Sequence, residues 1–125
     1  MERKVIRIPT NIEDFFKYWF IFLSPLHNLT NRELEVAAAF LKMRYELSKS
    51  IINNDELLEN TLMSEDTKRK IRELCNLSTT HFQVIMGKLR KAKIIENNKI
   101  NPKFIPNIKT DKDSLQLIIL FDLNG

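Results

Sequence analysis

Residues 71–95 read IRELCNLSTTHFQVIMGKLRKAKII, and the order of signals in this stretch decides the fold class. Just upstream, Ser64 is placed to cap a helix from about Glu65 to Cys75. A serine side chain there accepts a hydrogen bond from an otherwise orphaned N–H of the first turn. Asn76-Leu77 makes a tight turn, and Ser78 caps a second helix from Thr79 to about Ala92. In that helix Phe82, Met86 and Leu89, with Ile85 beside them, recur at helical spacing and mark its core side. Two branched runs follow, Ile94-Ile95-Glu96 and Lys99 through Ile105, separated by Asn97-Asn98. Asparagine tolerates the positive φ that a two-residue hairpin turn demands, so the two runs are expected to pair.

Helix, short turn, serine-capped helix and small hairpin resemble a winged helix-turn-helix DNA-binding domain. In that pattern an apolar residue and a serine end the turn, here Leu77 and Ser78. Apolar residues follow four, eight and eleven positions after the serine, slots filled by Phe82, Met86 and Leu89, and Ile94-Ile95 opens the wing. Farther back, Leu29-Thr30-Asn31-Arg32-Glu33-Leu34-Glu35-Val36 resembles the opening of the first helix of MarR-type regulators. It is also similar to the start of LuxR-type output domains, but there the helix-turn-helix follows at once, whereas here residues 50–63 intervene. The hairpin ending in Ile100-Asn101-Pro102-Lys103-Phe104 is similar to the wing of plasmid and phage replication initiators. The resemblance covers about residues 29–106. Two positions depart from it: Lys93 and Cys75-Asn76 stand where glycine is common, so Lys93 must adopt a left-handed or alternative turn.

If Phe82, Met86 and Leu89 face inward, a step of about 100° per residue turns Thr79, Thr80, Gln83, Val84, Gly87 and Lys91 outward. The resemblance makes Thr79, Thr80, Gln83, Val84 and Gly87 the candidates for base contact. Glutamine pairs with adenine, and threonine or valine methyls meet thymine. Gly87 is where the helix would press closest to the duplex, or else a point of close packing between helices. Lys68, Arg69, Ser78, Lys88, Arg90, Lys91, Lys99 and Lys103 are the candidate phosphate contacts. Without an arginine aimed at guanine, the expectation is modest specificity, favouring A/T-rich sites or depending on dimerisation.

The charge follows the same boundaries. The net charge of the 125 residues is +4. Residues 64–110 carry 11 basic and 4 acidic residues, a net of +7, while residues 1–63 sum to −1 and residues 111–125 to −2. Confined to one segment, such an excess suits phosphate neutralisation, and solvated helix faces are the plainer explanation.

Around this centre the chain divides into residues 1–28, 29–110 and 111–125. Val5-Ile6-Arg7-Ile8 alternates like an edge strand. Thr10 with Glu13 reads as a capping box for an aromatic helix from Asn11 to about Leu23, stopped by Ser24-Pro25. Its Phe15, Phe16, Trp19 and Phe20 are expected either to pack within the monomer or to form a dimer or partner interface. Thr30 with Glu33 opens a long helix to about Ser48, and Leu57, Leu58 and Leu62 suggest a short helix or a mobile connection. The apolar run Leu115–Leu123 reads as a buried C-terminal strand, able to pair with Val5–Ile8. The fold class expected is α+β and mainly helical: a winged helix-turn-helix with a hairpin wing, an N-terminal aromatic helix and a C-terminal strand.

Other chemistries find little support. Gly87 and Gly125 make no phosphate loop, the single Cys75 makes no internal disulfide, and neither His27 nor His81 stands at zinc-ligand spacing from it. Cys75 reads as a small buried residue and His81 as a partly exposed one. The carboxylate pairs Glu33/Glu35 and Asp55/Glu56 lack a second group at catalytic spacing, so no enzyme, cofactor, metal or small-molecule ligand is inferred. No apolar run approaches the roughly 20 residues of a membrane span, and no secretory signal is expected, so the setting is read as cytoplasmic, or host-cytoplasmic for a viral gene. The expected partner is double-stranded DNA, with the chain acting as a homodimer or with an assembly partner. The role would be transcription regulation or DNA replication, in a phage, a plasmid or an A/T-rich bacterium. The alternative is a winged-helix interaction module of a polymerase, replisome or virion with weak or no DNA binding.

Overall fold

A computed structural model describes residues 4–108 and 114–123. Among them the protein is mainly helical, with one small two-stranded antiparallel sheet. Helix α1 spans Ile12–Phe22, α2 Ser24–His27, α3 Asn31–Ser50, α4 Asp55–Leu62, α5 Glu65–Leu74 and α6 Thr79–Lys91. Strands β1 (Ile95–Glu96) and β2 (Lys99–Ile100) follow, then a 3-10 turn at Pro102–Phe104.

The helix starts follow local hydrogen-bond chemistry. Thr30 and Glu33 form a complete capping box at α3, with each residue's side chain accepting the other's backbone N–H. Ser64 accepts from Thr67 N at α5, and Ser78 accepts from His81 N at 3.1 Å at α6. At α1 the cap is Asn11, not Thr10: Asn11 Oδ1 accepts from Asp14 N at 2.9 Å while the Thr10 hydroxyl turns to Asn11 O. Asparagine caps at least as well as threonine, so the start slips by one residue and Glu13 loses its boxing position. Helix α1 ends at Phe22, ahead of Ser24-Pro25 as expected, and Pro25 belongs to the separate short helix α2. It sits in the first turn of α2, where its missing N–H has no helical acceptor to lose.

Left-handed backbone is assigned to asparagine rather than glycine: Asn28, Asn53, Asn76, Asn97 and Asn98 all have φ between 54° and 58°, and Lys93 joins them at 61°. Asn76 and Lys93 close α5 and α6 in the same way. Asn76 N and Leu77 N donate to Glu73 O and Arg72 O, while Lys93 N and Ile94 N donate to Arg90 O and Leu89 O. Each is a Schellman closure, which satisfies the last carbonyls and turns the chain sharply. Asn97-Asn98 likewise supports the hairpin, in the register Ile95↔Ile100 and Glu96↔Lys99. Past Asn101, whose N–H still donates to Ile94 O at 2.8 Å, the second run leaves the sheet, because Pro102 brings no donor and the Asn101 side chain caps the 3-10 turn. The exposed edge of β2 lies against α4, with Ile100 N donating to Glu59 Oε2 at 3.4 Å.

One hydrophobic cluster runs from Phe16 to Phe104. Phe16, Trp19 and Phe20 lie inside it, against α3 and the 3-10 turn, and Phe15 packs partly buried at its edge. Trp19 Nε1 donates to Phe104 O at 2.8 Å, and the Phe20 and Phe104 rings stack at 6.4 Å. The partner interface expected at Phe15, Phe16, Trp19 and Phe20 is therefore corrected. Burial of these rings completes the core of their own chain, and α1 is not a separate arm.

The two expected outer strands are absent. Residues 4–10 and 114–123 have no regular structure, and Val5, Ile6 and Leu115–Leu123 carry exposed apolar side chains. A strand exists only where its backbone groups find a partner, and among the described residues none pairs with either segment.

Candidate nucleic-acid interface

Helix α6 holds its position through one side. Phe82, Ile85, Met86 and Leu89 are buried at its inner face, and Leu77 and Ile94 anchor the turns at its two ends. Thr79, Thr80, Gln83, Val84, Gly87 and Lys91 all lie on the exposed side, as the spacing predicts. A methyl group built on Gly87 would meet nothing within 4 Å. Close packing against another helix of the chain therefore does not account for this glycine. The turn before α6 is fixed from outside by Arg32, whose guanidinium donates to Cys75 O at 2.8 Å and pairs with Glu35 at 2.9 Å.

The candidate phosphate contacts divide into two groups. On α5, Arg69 pairs with Asp66 at 2.5 Å and Lys70 with the same carboxylate at 3.3 Å, while Lys68 lies mostly buried 3.8 Å from Glu65. These cations already have carboxylate neighbours. A cleft of about 400 Å³ beside them is lined by Glu65, Asp66, Lys68, Arg69, Arg72, Thr79, Phe82 and Gln83, so two carboxylates offset all but one of the charges at the α5 lip of the exposed face. Toward the end of α6, Lys88, Arg90 and Lys91 are exposed and enter no ion pair among the described residues. Lys93, exposed at the junction with β1, extends this set. It was not among the expected contacts, although its place in a glycine slot singled it out. At the hairpin tip Lys99 faces Glu96 across the ladder, and the Lys103 ammonium lies 5.9 Å from the Phe104 ring. Ser78 Oγ is occupied by the cap, with its hydroxyl hydrogen free to donate outward. Residues 64–78 thus have a net charge of +1 and residues 79–110 of +6.

Comparison with protein-family models, curated proteins and solved structures finds no match to this chain.

Cys75 and His27 are titratable groups set within the fold. Cys75 is half-buried, and burial, reinforced by Glu35, pushes its thiol above the ordinary range against the smaller opposing pull of Arg32 and Lys17. It is thus held in the protonated, weakly nucleophilic form. His27 is buried, with Nδ1 accepting from Leu29 N at 3.0 Å and Nε2 donating to Phe20 O at 2.7 Å. The imidazole ties the end of α1 to the start of α3, a role that sequence spacing did not signal. His81 is exposed on α6. Among the described residues no three His, Cys, Asp or Glu side chains gather as a metal site, and no helix is long and apolar enough to cross a membrane.

Proposed function

We propose that this protein is a winged helix-turn-helix DNA-binding protein, acting in transcription regulation or replication. Helix α6 is the recognition helix, lying in the major groove, and the β1–β2 hairpin is the wing, lying along the adjacent backbone. The carrying observation is the outward side of α6, which is small and polar over Thr79, Thr80, Gln83 and Gly87 and covered by none of the described residues. It runs directly into the unpaired cations Lys88, Arg90 and Lys91. A major groove admits a helix of this width and offers base edges to glutamine and threonine, while phosphates on either side attract the lysines. The same distribution orients the helix: its C-terminal half and the hairpin junction carry the electrostatic contact, and the α5 lip adds little.

The test is fluorescence anisotropy of the full chain on duplex DNA over a range of salt. Affinity should fall steeply with salt, and Lys88→Glu with Lys91→Glu should weaken binding and reduce the log–log slope by about 2. Unchanged affinity and slope in that double variant would remove α6 from the interface. A second reading, a module that binds protein in a larger assembly, draws on the exposed Leu74 and Val84 and on Glu65 and Asp66 beside Gln83. Weak retention on heparin with no mobility shift on DNA would favour it.

A further inference from the structure

Among the described residues the segment Leu115–Leu123, LQLIILFDL, is the longest apolar run left uncovered. Seven of its nine residues are apolar, and exposure rises from 36% at Leu115 to 81% at Leu120, 83% at Phe121 and 91% at Leu123. Among the described residues no hydrogen bond joins 114–123 to the rest of the protein. A run of this composition left in water is an interaction segment or an aggregation hazard.

Its pattern identifies the partner. Read in either direction from Ile119, the order of apolar and polar residues is the same: polar only at Gln116 and Asp122, apolar everywhere else. Antiparallel pairing of two copies about a two-fold axis at Ile119 therefore matches like with like. Ile119 faces Ile119, Leu117 faces Phe121, Leu115 faces Leu123 and Ile118 faces Leu120. The two polar residues also meet each other, Gln116 against Asp122, so no carboxylate faces a carboxylate. The odd-numbered residues give the ribbon one wholly apolar side. A two-stranded ribbon is marginal unless that side is covered, and the uncovered Tyr18, Ile21 and Phe22 on α1, 41–51% exposed, offer it a surface. We propose that residues 115–123 are a self-complementary dimerisation strand, pairing antiparallel and centred on Ile119 with the same segment of a second copy. This does not depend on the DNA-binding reading.

The full chain should sediment as a dimer at micromolar concentration. Ile119→Lys, which sets like charges against each other at the axis, should sediment as a monomer with an unchanged thermal unfolding midpoint for the helical body. In a Cys75→Ser background, Ile119→Cys should form a disulfide-linked dimer under mild oxidation, because the two Cα atoms of such a pair lie within bonding range. Leu115→Cys should not, since antiparallel pairing places its two copies about 27 Å apart. A monomeric wild-type chain would overturn the proposal, as would a dimer that survives Ile119→Lys or cysteines that cross-link equally at 115 and 119.

Discussion

Helices α1 and α6 turn one side each into the same core and differ in what they turn outward. Inside, Phe16, Trp19 and Phe20 of α1 do the same work as Phe82, Ile85, Met86 and Leu89 of α6. Outside, α1 presents Asp14, Lys17, Tyr18, Ile21 and Phe22, a mixture without a net sign, and its Glu13 is ion-paired to Lys42 of α3. The outer side of α6 has no acidic residue and ends in three cations that enter no ion pair among the described residues. Aromatic density made α1 a candidate for monomer packing or for a partner interface, and Phe16, Trp19 and Phe20 are consumed in the core of the monomer. The quieter helix is the one with a surface to spare. In a chain of this size, inward faces are interchangeable in kind and outward faces carry the distinction.

That contrast can be broken in several places. The largest effect is expected in the shared interior: Phe20→Ala and Phe82→Ala should each lower unfolding free energy by about 3–5 kcal/mol in a denaturant titration. A near-neutral Phe20→Ala would detach α1 from the core. Trp19→Phe tests the polar link, leaving the Phe104 carbonyl without its donor at a cost of about 1–3 kcal/mol. On the outward faces the contrast should be one-sided, with Lys88→Glu and Lys91→Glu reducing DNA affinity while Lys17→Glu on α1 leaves it unchanged in the same anisotropy titration. Equal losses from both helices would mean that bulk charge alone drives binding.

Two smaller changes sharpen the point by separating stability from function. Gly87→Ala removes a helix-interior glycine with open space around it, so thermal unfolding should show a gain of about 1 kcal/mol while DNA affinity falls. A gain in both would show that nothing approaches the helix at Gly87. Lys93→Gly relieves a left-handed lysine and should stabilise by about 0.5–1 kcal/mol. Its loss of one cation should reduce the salt slope of binding by about 1.

Much of this was legible in the chain because it is local. Ser64, Ser78 and Thr30 cap helices through side-chain bonds spanning three residues, and Asn76 and Asn97-Asn98 adopt the φ values that their chemistry tolerates. The inner and outer sides of α6 follow from its period alone. Val5–Ile8 and Leu115–Leu123 were misread because alternation and branching describe a strand's preference, whereas its existence depends on a neighbour that the local pattern does not supply. The α5 cations were not distinguished from those of α6 for a related reason. Glu65 and Asp66 stand within one turn of Lys68, Arg69 and Lys70, but only the folded rotamers show which charges are already paired.

The sequence by itself determined the order of elements from α5 to the hairpin, the caps and turns of α3, α5 and α6, and the placement of excess positive charge between residues 64 and 110, since all of these arise from contacts a few residues apart. Only the tertiary structure decided that Phe16, Trp19 and Phe20 lie inside, that Lys68, Arg69 and Lys70 have carboxylate neighbours while Lys88, Arg90 and Lys91 have none among the described residues, and that Leu115–Leu123 is left uncovered by them. Burial and ion pairing depend on which distant surfaces meet, as Trp19 meets Phe104 across 85 residues of chain, and a local pattern does not record that meeting.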